Sequence, residues 1–186
     1  ALEKDWADVE AVLQNPDAPT IENTLKVLQL SGRELSHIAA IFWMRAGAHT
    51  NEVIQALERE VAPKMSRHHS RIMMNEVLFA RLDALYQNRA SLGLDTETLR
   101  VLEKSWKGFV RNGAKLNAQD KARLADINEK LAGLGAGFGQ NVLKDEASWA
   151  LFITDEAELA GLPEQLRAAM KAAAEERGRE DAWAVT

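Results

Sequence analysis

The sequence predicts a mainly α protein: an array of long antiparallel helices followed by a small C-terminal β-helix-β appendage. The 30 Ala and 23 Leu residues outnumber the 24 Val, Ile and Thr residues, and Ala and Leu lose less side-chain freedom in a helix than β-branched residues do. Apolar residues recur at steps of three and four as far as residue 142, which is the spacing of one helix face. The predicted regions are a helical part over 1–147 and the appendage over 148–186.

Composition excludes several classes of protein. The 186 residues include no Cys, which rules out disulfides, Cys-based zinc sites and a thiol nucleophile. The longest apolar run, Ile38 to Met44, is far shorter than the ~20 residues of a membrane helix. A net charge of −5 without a basic tract argues against nucleic acid, which is bound by neutralising phosphates. The sequence therefore predicts no membrane and no nucleic-acid partner.

A proline-rich break separates the first two predicted helices. The first helix carries the stripe Leu2, Trp6, Val9 and Leu13. It stops at 15–19, where two prolines interrupt the pattern, and Thr20 can cap the next helix. The second stripe consists of Ile21, Leu25, Leu28, Leu35, Ile38 and Phe42. Gly32 lies within it, where it permits a close helix contact or a bend. Ser31 and Glu34 have capping-box spacing, so a helix restart at Gly32 is an alternative.

Three further helices have polar starts and defined ends. A third helix begins at Thr50 or Asn51 and is expected to bend at Pro63 without ending, because its stripe keeps its phase there. A fourth starts at Asn75 and is predicted to close at Leu92–Gly93. A fifth is capped by Asp95 and ends near 112–113. The apolar stripes of these helices predict that each has one face in the core.

The last part of the chain combines one long helix with the appendage. The long helix starts at Asn117 and has the stripe Leu124, Ile127, Leu131, Leu134, Phe138 and Val142. Strands are predicted at 149–153 and Ala182–Thr186, with a helix opened by Pro163 between them. The chain starts without Met and stops within the second strand, so we expect an appendage truncated at its C-terminal end.

No catalytic or metal-binding residue is predicted from the histidines. A zinc peptidase of the H-E-x-x-H type needs two imidazoles one helical turn apart, and His37, His49, His68 and His69 include no such pair. His68 and His69 point about 100° apart on a helix. His68 continues an apolar stripe and is predicted to be packed, whereas His37 and His49 fit surface or capping positions.

Other motifs also favour structural roles. The sequence contains neither a G-x-S-x-G nor a Walker A motif. The alternating glycines of Gly133–Gly139 lie within a helical stripe, where they allow close packing or provide a hinge, and packing is the favoured interpretation. Lys64, Arg67 and Arg71 form, with the two adjacent histidines, a basic strip. It could meet an acidic partner, but a solvated face is favoured. Core positions are expected for Met44, Met65, Met73 and Met74 and for the tryptophans at helical spacing.

Several motifs resemble the N-terminal part of bacterial peptidyl-dipeptidases, the Dcp branch of the thimet oligopeptidase family of zinc metallopeptidases. These motifs are Asn15-Pro-Asp-Ala-Pro-Thr-Ile-Glu-Asn-Thr24, Ala46-Gly-Ala-His-Thr-Asn51, Leu57-Glu-Arg-Glu-Val-Ala-Pro63, Leu78-Phe-Ala-Arg-Leu82, Leu92-Gly-Leu-Asp95, Phe109-Val-Arg-Asn-Gly-Ala-Lys-Leu116 and Asp155-Glu-Ala-Glu-Leu-Ala-Gly-Leu162. The family usually has a more polar, helix-forming segment where this chain has Gly133–Gly139.

The resemblance implies a helix-rich zinc enzyme that removes C-terminal dipeptides from short peptides. The family's zinc-binding H-E-x-x-H helix and a further zinc-binding glutamate lie downstream of the segment seen here. None of the family's metal or catalytic positions maps onto residues 1–186. The resemblance therefore implies an inactive segment that holds no cofactor of its own and forms one wall of a substrate channel. Its implied partners are the downstream catalytic domain and short peptides, in the cytoplasm or, alternatively, the periplasm.

Two other functions remain as alternatives. The chain fits a free-standing helical interaction module without catalysis, since it combines amphipathic helices with no active-site motif. An independent hydrolase using His68, His69 and nearby acids is the weaker alternative, because the two rings diverge.

Overall fold

Helices account for most of the computed structural model, which describes residues 1–185. The helices are α1 (Leu2–Gln14), α2 (Val27–Leu30), α3 (Arg33–Ala48), α4 (Glu52–Met73), α5 (Glu76–Gln87), α6 (Thr96–Arg111), α7 (Ala118–Ser148) and α8 (Glu164–Glu175). A π-helical segment (Ile21–Lys26) leads directly into α2, and a 3-10 turn (Glu156–Leu159) precedes α8. The strands are β1 (Leu151–Ile153) and β2 (Trp183–Val185). The mainly α class and the β-helix-β order are confirmed, and Thr186, predicted within the second strand, lies outside the described residues.

Local capping explains why most helices begin where the sequence predicts. Thr20 Oγ1 accepts a hydrogen bond from the Asn23 backbone N–H at 3.0 Å, and Asn23 Oδ1 accepts one from the Thr20 N–H at 2.8 Å. This reciprocal capping box satisfies two donors that the first turn leaves free. The same kind of cap begins α4, α5, α6 and α7, where a side-chain oxygen accepts a hydrogen bond from the backbone N–H three residues later. The capping residues are Asn51, Asn75, Asp95 and Asn117.

The second predicted helix is broken at Gly32, so the restart alternative is confirmed. Gly32 has a φ of 68°, which is left-handed backbone that favours glycine, and α3 begins at the next residue. The capping box expected from Ser31 and Glu34 does not form. Instead Ser31 Oγ donates to the Leu28 carbonyl oxygen at 2.9 Å, which closes the preceding turn.

The predicted end of the fourth helix is wrong, and the predicted passage of the third through proline is right. α5 ends at Gln87, well before Leu92–Gly93. Its end is stabilised by Asn88, which donates to the Ala84 carbonyl oxygen from both its backbone N–H and its side-chain Nδ2, at 3.3 and 2.8 Å. α4 continues through Pro63 to Met73.

The core of the first compact unit, Ala1–Ala136, is built mainly from α1, α5 and α6. Its buried members are Val9, Val12, Leu25, Leu78, Leu82, Leu85, Leu102, Phe109 and Ala114. Leu78, Leu82 and Leu102 are wholly excluded from solvent. Burying a side chain of this kind contributes about 1.5–3 kcal/mol, so this cluster is the main source of stability in the unit.

The second compact unit, Gly137–Thr186, contains the small sheet. β1 and β2 are antiparallel, with Phe152 opposite Ala184. Ala174 of α8 packs with Ala182 and Ala184 in a buried cluster. The boundary between the two compact units falls within α7. The division into regions 1–147 and 148–186 stays a prediction.

Candidate docking surface

His68 is packed, as predicted, and it has a specific partner. Its Nε2 lies 2.6 Å from Asp5 Oδ2, and the two side chains are 10% and 8% exposed. His69, the next residue, is exposed and lies 3.4 Å from Asn112 Oδ1. The two imidazoles therefore take separate partners, and the contact between α1 and α4 holds His68 in the interior.

The described residues offer no zinc site. Among residues 1–185, no three His, Asp or Glu side chains come together in a group that could hold a metal ion. His37 and His49 are exposed. The zinc implied by the family resemblance belongs to residues downstream of this segment, and no catalytic step is assigned to these side chains.

The lysine and the two arginines of the basic strip are exposed, and they are already engaged within the chain. Arg67 donates to both carboxylate oxygens of Glu129, and this hydrogen bonding lowers the pKa of Glu129 below its ordinary value. The Arg71 guanidinium lies 3.2 Å from the centre of the Trp6 ring, and Lys64 pairs with Glu60. Such pairing leaves the strip poorly suited to capture an acidic partner.

Two of the family motifs are joined by one arginine that the sequence analysis did not single out. Arg81, in the motif of residues 78–82, donates from Nη1 to the carbonyl oxygens of Asn15 and Asp17 at 3.1 and 3.0 Å. Its Nη2 donates a hydrogen bond to Asn23 Oδ1 at 3.2 Å, and its Nε donates one to Thr24 Oγ1 at 3.3 Å. All four acceptors belong to the motif of residues 15–24. We call these contacts the Arg81 clamp. They give both motifs a structural role.

The predicted core face of the sixth helix is exposed. In the first unit, Ile127, Leu131 and Leu134 of α7 are 43%, 60% and 69% exposed. The other side of α7 faces α4, where Glu129 pairs with Arg67. A helical stripe predicts only that one face is apolar, and the described residues of this unit do not bury this one. We call Ile127, Leu131 and Leu134 the α7 apolar face.

Apolar side chains are also exposed on α3 and α4. Ile38 and Met44 of α3 are 49% and 64% exposed, and Leu57 of α4 is 44% exposed. The expectation that Met44 lies in the core is therefore wrong, as is the predicted burial of Ile38.

No described atom packs against Gly135, Gly137 or Gly139, so the favoured packing role of the Gly133–Gly139 stretch stays a prediction at these glycines. A methyl group added at Gly135, Gly137 or Gly139 would meet no atom within 4 Å, and one at Gly133 would lie 3.8 Å from Pro63 Cγ. α7 nevertheless continues through the stretch. Packing among the described residues therefore does not require glycine at these three positions.

The described helices include none that is both long and apolar enough to cross a membrane. The fold and the site thus define a helical protein region with exposed apolar faces and no grouped metal ligands among residues 1–185.

Known proteins show where this region belongs. The chain is 36% identical over 184 residues to a dipeptidyl carboxypeptidase of Escherichia coli (strain K12), which covers 99% of this chain and 27% of the relative. It is 39% identical over 177 residues to the Salmonella typhimurium (strain LT2) dipeptidyl carboxypeptidase, covering 95% and 26%. Oligopeptidase A of the same Salmonella strain is 29% identical over 175 residues, covering 94% and 26%. No protein-family model matches the chain.

The chain belongs to the family of dipeptidyl carboxypeptidases and oligopeptidases A, which confirms the resemblance indicated by the motifs. It spans about a quarter of the length of these relatives.

Proposed function

We propose that this chain is the non-catalytic N-terminal region of a zinc-dependent peptidyl-dipeptidase that releases C-terminal dipeptides from short peptides. The observation that carries the proposal is 36% identity over 99% of the chain to a dipeptidyl carboxypeptidase, of which the match spans 27%. The remaining polypeptide would supply the metal, the residues that activate water and the groups that stabilise the transition state. For its compartment we propose the cytoplasm, with the periplasm as the alternative.

The arrangement of ionisable side chains supports a non-catalytic role. Zinc hydrolases hold their metal with three protein ligands and leave one position open for water. His68 is the least exposed histidine among the described residues, and its Nε2 lies 2.6 Å from Asp5 Oδ2. The other histidines are exposed, so none of them is held in a water-excluded site that would favour metal-assisted hydrolysis.

The packing supports a role as one wall of the substrate channel. A wall selects substrates by shape, and it does so well only when its backbone is rigid. The wholly buried Leu78, Leu82 and Leu102 fix α5 against α6, and the Arg81 clamp fixes the segment before α2. The region would admit short unstructured peptides, exclude folded proteins and position the peptide for the catalytic remainder.

The test compares this chain with the complete polypeptide that contains it, using an N-blocked short peptide and measuring dipeptide release and bound zinc. We expect zinc and chelator-sensitive release from the complete polypeptide, and neither from the chain alone. Chelator-sensitive release by the chain alone that persists on repurification would overturn the proposal. In that event His68→Gln and His69→Gln would show whether these histidines carry the activity.

The second candidate is a free-standing helical interaction module. The exposed Ile38 and Met44 of α3 favour it, since such side chains can contact another protein without any catalysis. An open reading frame whose start and stop codons bound this chain would support the free-standing module and contradict the peptidase assignment.

A further inference from the structure

We propose that the α7 apolar face is the docking site for an amphipathic helix of the remaining polypeptide, and that this helix carries carboxylates along one margin. The inference rests on the proposed function, which supplies the remaining polypeptide. It adds a specific surface and the chemistry of the segment that covers it.

The spacing of the exposed side chains suits a helix as the occupant. Ile127, Leu131 and Leu134 follow one another at steps of four and three residues on α7, and they are 43–69% exposed. Rows with this spacing form the ridges that fit between the side chains of a second helix. A partner helix with its own apolar stripe would cover all three residues at once.

The charges beside this face define the partner's margin. Arg123 and Lys130 are exposed and lie four residues before Ile127 and Leu134, so both border the face on the same side of α7. Neither forms an ion pair among the described residues, in contrast to Arg67 and Lys121. Carboxylates on one margin of the partner helix would complement these two cations.

Gly135 allows the partner to come close. It lies next to Leu134 and one turn from Leu131, and a methyl group added there would meet nothing within 4 Å. Glycine presents only backbone at such a position, so a neighbouring helix can approach nearer than it could over a larger side chain. The open space at Gly135 therefore suits a covering helix.

The remaining polypeptide is a better occupant than a second copy of this chain. The match covers 27% of the Escherichia coli relative, so most of that polypeptide lies outside the matched segment and can supply helices. A second copy would present Arg123 and Lys130 again, with the single carboxylate of Asp126 between them on that margin rather than a row of carboxylates.

Thiol labelling tests directly whether the α7 apolar face is covered, because the chain has no Cys of its own. Leu134→Cys reports on the α7 apolar face. Val77→Cys is the matched control, since Val77 is an aliphatic residue that is 53% exposed on α5. The maleimide reaction rate at each site is measured by peptide mass spectrometry in the isolated chain and in the complete polypeptide, whose native cysteines are replaced.

We expect Leu134→Cys to react at least about tenfold more slowly in the complete polypeptide and Val77→Cys to react at a similar rate in both, as burial of one face alone requires. Equal rates for Leu134→Cys in the two proteins would overturn the proposal. Slow labelling of Leu134→Cys in the isolated chain, with a rate that increases on dilution, would also overturn the proposal. It would identify a second copy of the chain as the occupant of the α7 apolar face.

Charge reversal tests the acidic margin. Arg123→Glu combined with Lys130→Glu should raise the labelling rate of Leu134→Cys in the complete polypeptide several-fold. Lys107→Glu, at an exposed lysine of α6, should leave that rate unchanged. An unchanged rate in the double variant would overturn the acidic margin.

Dipeptide release from the same complete polypeptide separates this inference from the proposed function. Release without protection of Leu134→Cys contradicts the docking site alone. Protection without release contradicts the peptidase assignment and supports the docking site.

Discussion

Gly32 and Asp5 approach so closely that no side chain fits between them. A methyl group on Gly32 would lie 2.9 Å from Asp5 Oδ1, well inside van der Waals contact. The other oxygen of the same carboxylate lies 2.6 Å from His68 Nε2. Asp5 of α1 therefore contacts both the turn before α3 and the C-terminal half of α4, and one buried carboxylate links three helical segments.

Because of this contact, Gly32→Ala should lower the free energy of unfolding by more than the cost of the left-handed backbone alone. The left-handed φ of 68° alone costs an L-residue roughly 1–2 kcal/mol, and the clash with Asp5 adds about 1 kcal/mol or more. Gly93→Ala is the control, because Gly93 has a φ of 62° and open space around it. Urea unfolding followed by circular dichroism measures both variants, and equal losses would contradict a steric role for Asp5.

Replacing Arg81 should loosen the segment before α2. Arg81→Met keeps most of the side chain's length but removes the donors for Asn15, Asp17 and Asn23, so we expect a loss of about 2–3 kcal/mol. Faster hydrogen exchange should be confined to the segment that the clamp holds. Arg100→Met removes an exposed arginine paired with Glu103 and should cost less than about 1 kcal/mol. A loss for Arg81→Met no larger than this would contradict the clamp.

Gly135→Ala should stabilise the isolated chain. Glycine inside a helix costs about 0.5–1 kcal/mol relative to alanine, and the added methyl group meets no atom within 4 Å. Gly113→Ala provides the opposite case, because Gly113 has a φ of 94° and a methyl group there would lie 2.7 Å from Leu124 Cδ2. Unfolding free energies should therefore rise for the first variant and fall for the second. Destabilisation by Gly135→Ala would reveal a contact that the structure does not contain.

The start of α6 should weaken in acid. Asp95 accepts hydrogen bonds from the backbone N–H and the hydroxyl of Thr98, which holds the pKa of Asp95 below its ordinary value of 3.8. The stabilisation is therefore present above that ordinary value and is lost as the pH falls through the lower folded-state value.

Asp95→Asn keeps a capping oxygen but removes the titrating group. The difference in unfolding free energy between the wild type and this variant should shrink between about pH 5 and about pH 2. The many other carboxylates titrate in both proteins, so their effect cancels in the difference. A constant difference across this range would contradict the assigned role of the ionised Asp95.

Local features of this fold could be predicted from the sequence because local atoms determine them. Thr20, Asn51 and Asn75 cap helices by bonding to backbone only three residues away. The absence of an H-E-x-x-H motif is likewise a property of the sequence alone. Both the caps and the class of fold follow from short-range spacing.

The features that could not be predicted depend on distant parts of the chain. His68 was predicted to be packed, but nothing near it indicates Asp5 as its partner. Spacing identifies Leu131 and Leu134 as one face of a helix, yet it contains no information about which polypeptide covers them. The Arg81 clamp had a detectable signal, since both of its segments are family motifs, but the motifs alone do not show that they touch.

The Arg81 clamp also constrains the order in which the chain can fold. Its hydrogen bonds connect residues 57 to 66 positions apart. During synthesis, α1 and the π-helical segment leave the ribosome before the guanidinium that holds them has been made. The clamp can therefore form only after α5 has been made, and residues 15–24 gain these hydrogen bonds no earlier than that.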